Sequence, residues 1–466
     1  MPEAIAGADF SVQQLASSLT LEGLTQPTAD GRSVPKLAES FHWTDDGRTL
    51  NVGLRRGVTF HDGTALTAEL AAEVLNELIK RPSNQDLYPS LRDVIKVAPS
   101  GDLQIVIELS RRSAFLVDDL MMPLSVGNPA VGTGAYRVVQ RSPEEIVLGR
   151  HDGYHSGEAQ ISGVSIRAFG ALRNAWAGLL RGEVDMVTEV PPDALDFVQG
   201  QEVEVLSFDR PYQYVVAFNS RHRPLNSPAV RRALNLAINR EALIRNVLQD
   251  RGTPATGPIW PQHWAYDRNL TGFTYDPALA SSLLDAAGFR AQKDATGRMS
   301  RMRFSCLIPA NFAVSERIGL EIQKQLYDIG VDLQFEVVPP EELDGRLRSG
   351  QFDAFLLDMI SGPTLGRSYV FWASANAFSG LNLFGYENAE AERLYRVSSD
   401  TTNEAAVRSA TLNLQRVFLN DPPALFLAWN RRSRAVRRDF RVVQDANDSF
   451  DPIHTIWKWT HSSPAE

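Results

Sequence analysis

Between Arg301 and Val337 the hydrophobic period changes twice, and few architectures accommodate that pattern. Arg301 to Ile308 reads as a strand, Ile318, Ile322, Leu326 and Ile329 recur at helical spacing, Gly330 closes the helix, and Val331, Leu333, Phe335 and Val337 alternate as the next strand. A strand, a helix and a strand joined this closely predict a parallel pair with the helix laid over one face. Phe352 to Leu357 is a candidate third strand of the same sheet. The preceding helices carry regular punctuation. Ser227 is an N-cap with Pro228 at the first helical position, Asn239 restarts a second helix through Leu243, Val247 and Leu248, and Asp276-Pro277 opens an Ala-rich helix that Gly288 ends. Further upstream, Leu70, Val74, Leu75 and Leu78 form a helical stripe after Thr67, and Leu103, Ile105, Ile107 and Leu109 alternate with Gln104 and Glu108. That region reads as a small α+β unit. No fixed-period repeat interrupts the alternation, so the class is α/β.

A chain of 466 residues exceeds one ordinary core, so two or three domains are expected. Lys and Arg number 47 against 56 Asp and Glu, a formal charge of -9, which disfavours a nucleic-acid partner. The short basic cluster Arg431 to Arg438 reads as a solvated turn. No apolar run approaches the ~20 residues of a membrane helix. Met1 to Asp9 lacks the basic start and apolar core of a secretory signal, which leaves a cytosolic protein or an export signal already removed. The single Cys306, within the apolar stretch Phe304 to Ile308, reads as a buried small hydrophobe.

No catalytic constellation emerges. His151, Asp152 and His155 are the nearest approach to a metal cluster, but Gly153 intervenes and no helix puts both imidazoles on one face. Neither a metal nor a cofactor is expected. His61-Asp62-Gly63 reads as a turn in which Asp62 satisfies backbone donors. Gly132 and Gly134 flank Thr133 without a helix N-terminus to complete a phosphate cradle. Aromatic residues are more suggestive: Tyr212 and Tyr214, then Phe371 and Trp372, then Trp429 each fall near a strand end, where open α/β sheets hold ligands.

Several segments then resemble one family, the large bacterial extracellular solute-binding proteins of family 5 that serve dipeptide, oligopeptide and nickel ABC importers. The similarity begins with Pro35-Lys36-Leu37-Ala38-Glu39-Ser40, Asp46-Gly47, Leu54-Arg55-Arg56-Gly57-Val58-Thr59-Phe60-His61-Asp62-Gly63 and Leu66-Thr67-Ala68-Glu69. It continues through Gly132-Thr133-Gly134-Ala135-Tyr136, Tyr154, Gly182-Glu183-Val184-Asp185, Phe218-Asn219, Val230-Arg231-Arg232-Ala233-Leu234, Tyr275-Asp276-Pro277 and Ala286-Ala287-Gly288-Phe289. The resemblance implies a two-lobed periplasmic-binding-protein fold (Venus flytrap, type II, cluster C) with an extra small α+β domain inserted in the first lobe. By analogy lobe I comprises 1–35, 134–211 and 436–466, the insertion is 36–133, lobe II is 212–435, and the hinge lies near 212–219 and 431–436.

What the resemblance implies for function is capture of a small-molecule solute between two hinged lobes and delivery to the transmembrane subunits of an ABC permease. The chain is then a monomer, periplasmic or otherwise extracytoplasmic, and not an enzyme. By register with the family, Phe10 and Ser11 of the first lobe and Asp358, Met359, Ser361 and Arg367 of the second are ligand-binding candidates, joined by the aromatic Tyr212, Tyr214, Trp372 and Trp429. Arg367 suits a carboxylate or phosphate. Two departures stand out. Little chain precedes Phe10-Ser11-Val12, where relatives have a strand, so that strand is expected to be absent, short or cut away. Peptide binders also place an Asp that pairs with the substrate's α-amine just after the strand corresponding to Phe352 to Leu357, and in this register that position is Gly362. Asp358 substitutes only if the loop shifts. Losing the anchor argues against standard peptide recognition, because a buried ammonium without a carboxylate is costly. The solute classes left open are a peptide, an amino-acid conjugate, an oligosaccharide or a metal chelate. The competing reading is a carboxylate-dependent hydrolase acting in the same cleft.

Overall fold

Two groups of residues pack separately in the computed structural model, one formed by 209–398 with 403–431 and the other by 6–208, 399–402 and 432–466. The structure describes residues 8–127, 131–190, 194–195, 202–293, 297, 299–310, 313–362, 364–374, 381–444 and 451–462.

The first unit is built on the β-α-β segment. Strands Met302–Pro309 and Val331–Val338 run parallel, in register from Met302 opposite Val331 to Pro309 opposite Val338. Helix Ala313–Asp328 covers them with Ile318, Ile322 and Leu326, all fully buried. Gly330 then takes φ +80°, a conformation that side-chain-bearing residues rarely adopt, and turns the chain into the second strand. The third strand, Ala354–Ile360, begins two residues later than expected. It lies between Met302–Pro309, to which it is parallel, and Val203–Phe218, to which it is antiparallel. Strand Ala424–Arg437 continues the sheet beyond Val203–Phe218 and carries the short Gly252–Pro254 alongside.

Helices Pro228–Leu236, Arg240–Leu248 and Pro277–Ala286 add Val230, Leu234, Leu243 and Leu284 to the core under this sheet. Asn239 and Asp276 cap as anticipated, accepting from the backbone N–H of Ala242 and Leu279. Ser227 occupies the N-cap position but makes no capping hydrogen bond with its side chain. Arg240 is buried and donates to the carbonyls of Asn235, Ala255 and Phe426. Burial pulls its guanidinium down to about 9.

In the second unit the small α+β region has its own apolar cluster. Strands Ala38–Trp43, Thr49–Leu54, Gln104–Leu109 and Val94–Pro99 form an antiparallel sheet in that order, and helix Ala68–Ile79 packs on it through Ala71, Leu75 and Leu78. Thr67 accepts from the Leu70 N–H, so the expected cap is made. Asp46-Gly47 and Asp62-Gly63 are turns, with Gly47 at φ +65° and Gly63 at φ +87°, and Asp62 accepts from the Thr64 N–H. A second cluster forms where helix Ala8–Thr20 meets strands Tyr136–Arg141, Glu145–Arg150 and Gly163–Arg167.

The Gly-Thr-Gly segment is a packing device. A Cβ on Gly132 would stand 2.1 Å from the Thr20 carbonyl oxygen, and one on Gly134 2.6 Å from that of Leu19. Thr133 between them donates to the buried Glu22. That carboxylate also accepts from Tyr154 and meets Lys36 and His155. Burial would raise its pKa, but the His155 hydrogen bond and the Lys36 charge, with Thr133 adding less, hold it below the usual value. His151 turns away to the Gly134 carbonyl and Asp152 to Arg150, so the three candidates diverge. No metal-ligating group of three or more acidic, His or Cys residues occurs among the described residues.

One expectation is overturned. The Arg431 to Arg438 cluster is not a solvated turn, since most of it continues strand Ala424–Arg437. Arg434 is buried and paired with Asp451, and the strand's register with Met186–Val187 fixes the backbone there. Within the strand Arg434 is carried into the interior, where a turn would have left every one of these charges solvated.

His61 donates from Nε2 to the Gly134 carbonyl, 3.0 Å away, and burial lowers its imidazole from 6.5 to about 4. The unfolded chain therefore binds a proton below about pH 6.5 that the native protein refuses until about pH 4. Stability contributed by neutral His61 is complete above that window and declines through it, by up to about 2 kcal/mol after allowance for partial solvation. His61→Asn should flatten the pH dependence of the urea midpoint in this window relative to wild type; an unchanged slope would remove His61 as the cause.

Candidate functional site

Seven consecutive antiparallel pairs, from Tyr212 opposite Ile360 to Phe218 opposite Ala354, decide which candidates can meet. Directly paired residues share a face of the sheet, so Tyr214 and Asp358 stand side by side while Gln213 and Met359 face the other way. Asn430, on the strand beyond, donates from Nδ2 to the Tyr214 hydroxyl at 3.1 Å and to Asp358 Oδ2 at 3.3 Å. The three residues form a polar rung across three strands, with Asp358 Oδ1 also shielded from solvent. Burial raises the Asp358 carboxyl to about 6 against the opposing pull of Arg210 and the Asn430 hydrogen bond. Burial and the neighbouring carboxyl push the Tyr214 phenol well above its usual range.

Arg210 lies over Tyr212, its guanidinium carbon 3.7 Å from the ring centroid. Behind them, the Pro211 carbonyl accepts from the N–H of Ser361 at 3.0 Å and of Gly362 at 3.2 Å. Gln213 donates to the Ser361 hydroxyl, and Ser368 donates to the Ser361 carbonyl at 3.1 Å. Met359 is 2% exposed on the opposite face from Asp358.

Gly362 takes φ +68°, and a Cβ built on it would stand 2.5 Å from Cβ of Arg367. Arg367 belongs to the short helix Leu365–Tyr369 and is itself buried. Its stem therefore fills the space that a larger residue at 362 would need.

The tryptophans lie in an aromatic layer. Trp372 stacks on Phe384 with ring centroids 5.5 Å apart and meets Phe426 edge-on at 5.8 Å, and Trp429 meets Trp260 edge-on at 4.9 Å. Both are almost fully buried. Phe10 and Ser11 fall within helix Ala8–Thr20, and their side chains lie outside the described residues. Thus Tyr212, Tyr214, Asp358, Ser361, Gly362 and Arg367 cluster at one end of adjacent strands, whereas Trp372 and Trp429 pack with other aromatics.

Sequence reading missed Asn430, Arg210 and Gln213. A signal existed for two of them. Asn430 ends the apolar run Ala424 to Trp429, and Gln213 is a fully buried amide between two tyrosines. Arg210 carried none, because only the fold brings it over Tyr212.

An α/β sheet with polar and aromatic side chains gathered at a strand end is the kind of place where open sheets of this class hold small molecules. The family model for bacterial extracellular solute-binding proteins, family 5 (middle region), matches residues 32–379, and the chain belongs to that family. It is 26% identical to the glutathione-binding protein GsiB of Pectobacterium atrosepticum, over 95% of this chain and 90% of that one. It is 23% identical to the oligopeptide-binding protein AppA of Bacillus subtilis, over 91% and 82% respectively. Among solved structures, a putative peptide-binding protein AppA from Clostridium difficile superposes with a TM-score of 0.84, at 20% identity and 98% coverage of both chains. The fold is accordingly the two-lobed, cluster C periplasmic-binding-protein fold. The chain is the solute-binding component of an ABC importer, and its family acts in the periplasm or outside the cell. No helix among the described residues is long and apolar enough to cross a membrane.

The interlock at Gly362 yields a prediction. Gly362→Asp must adopt a positive φ and displace Arg367. It should lower stability by about 2–4 kcal/mol, read as a fall in the denaturation midpoint. A variant as stable as wild type would show that the space is not closed.

Proposed function

We propose that this chain captures a small polar solute bearing a carboxylate, an amino-acid conjugate or a blocked peptide in preference to a peptide with a free α-amine, and hands it to a membrane permease. On this proposal Tyr212, Tyr214, Asp358, Ser361 and Arg367 supply the polar end of the site, with Met359, Trp372, Trp429, Phe10 and Ser11 as further contributors. In this reading the lobes follow the boundaries given by the family resemblance, the protein works as a monomer, and it does not turn its solute over.

The observation that carries the reading is the Gly362 and Arg367 pair. A peptide's ammonium needs a buried carboxylate partner, and desolvating it without one costs several kcal/mol. Position 362 has neither a side chain nor room for one. The stem of the buried Arg367 fills that space, and an arginine's planar fork matches a carboxylate. The names of the relatives, a glutathione-binding and an oligopeptide-binding protein, supply the size and polarity class of solute that this fold accommodates.

Native mass spectrometry of protein purified from its own host should reveal a retained carboxylate-bearing solute. Added back at a hundredfold excess over Kd, that solute should stabilise the protein by about 2.7 kcal/mol. Arg367→Ala should weaken its binding by about 10- to 100-fold. Recovery of a chemically altered solute after incubation would instead demonstrate turnover and refute a pure binder.

A further inference from the structure

The polar rung Asn430–Tyr214–Asp358 is set in an apolar sheet. Val215, Val216, Leu356, Leu357 and Leu427 around it are buried, so its three polar groups stand out. A carboxyl placed there answers to few charges. Arg210 approaches from the same strand as Tyr214, and Arg317 acts on that phenol from helix Ala313–Asp328. Strand Gly252–Pro254, which pairs beside Asn430, brings no ionisable side chain. Parallel to Ala354–Ile360, strand Met302–Pro309 ends in the neutral Ile308 and Pro309. Of these two arginines only Arg210 acts on the carboxyl, so one positive charge is left to be shared between Asp358 and an incoming anionic group.

We propose that the Asn430–Tyr214–Asp358 rung takes up a proton when an anionic solute group docks beside Arg210, so that the protein holds carboxylate-bearing solutes more tightly as the pH falls. The proposal rests on the solute-binding reading and adds its regulation. An arriving carboxylate places a second negative charge beside Asp358, and two carboxyls sharing a poorly solvated site cannot both remain ionised. The proton then sits on Asp358, which changes from an acceptor into an O–H donor toward the solute oxygen, while Asn430 keeps its hydrogen bond to the other oxygen. Burial has already moved the free protein's carboxyl up to about 6, so the further rise required is small. Linkage fixes the sign: a group whose pKa rises on binding strengthens binding below its bound-state value and weakens it above. A cationic solute would do the reverse, releasing a proton and binding better at high pH.

Calorimetric titration with N-acetyl-alanyl-glutamate and with alanyl-alaninamide, each in phosphate and in Tris, distinguishes the two. The acetylated acid should bind with uptake of a fraction of a proton at about pH 7, seen as a buffer-dependent heat, and its Kd should weaken about twofold between about pH 7 and about pH 8. Asp358→Asn, neutral at every pH, should abolish both the proton uptake and the pH dependence. The buffer comparison on wild type stands even if that variant folds poorly. Binding of the acetylated acid without proton uptake, or preferred binding of alanyl-alaninamide with proton release, overturns the proposal while solute capture survives. Failure to bind either probe, or anything from an extract of the host, would overturn the solute-binding reading as well.

Discussion

The register between strands Val203–Phe218 and Ala354–Ile360 is the constraint from which the rest of the candidate site follows. Shifting it by one residue would exchange the faces of every side chain on one strand, separating Tyr214 from Asp358 and Gln213 from Ser361. Its terminus is held by the Pro211 carbonyl, which receives two N–H groups at once. Those two bonds turn the chain into Gly362, and Gly362 admits the stem of Arg367. Backbone geometry thus dictates which charge can be presented at the strand end.

Buried charge recurs in both units, and each case is resolved by a different partner set. Arg240 is satisfied by carbonyl oxygens, Glu22 by four donors from three segments, and Arg434 by the carboxylate of Asp451. Removing one partner of such a set leaves a desolvated group behind, which costs far more than the net value of the lost bond. Glu22 in this way ties together segments as distant in sequence as Lys36, Thr133 and His155. Asp358 differs, since its surroundings raise the carboxyl pKa, whereas those of Glu22 lower it.

Much of the architecture was legible because period and punctuation agree locally. Ile318, Ile322 and Leu326 face inward as their spacing demands, and Asn239 and Asp276 cap where they stand before a helix. What stayed illegible depends on pairing across long sequence separations. Nothing near Arg431 indicates that its neighbours continue a strand and meet Met186–Val187, and nothing near Asn430 announces Tyr214. The candidate site was legible in composition and not in arrangement. Tyr212, Tyr214, Asp358, Ser361 and Arg367 were nameable in advance, but the stacking of Arg210 on Tyr212 exists only once the strand is folded.

The solitary sulfhydryl has an experimental use. Cys306 lies wholly inside the sheet, where burial pushes its thiol further from ionisation, so it offers no nucleophile to maleimides or to oxidants met outside the cytoplasm. A cysteine introduced on the surface would consequently be chemically unique in this chain. Pairs of such labels could carry fluorophores at chosen positions without first deleting a native side chain, making the molecule a ready chassis for an optical reporter of whatever metabolite it recognises.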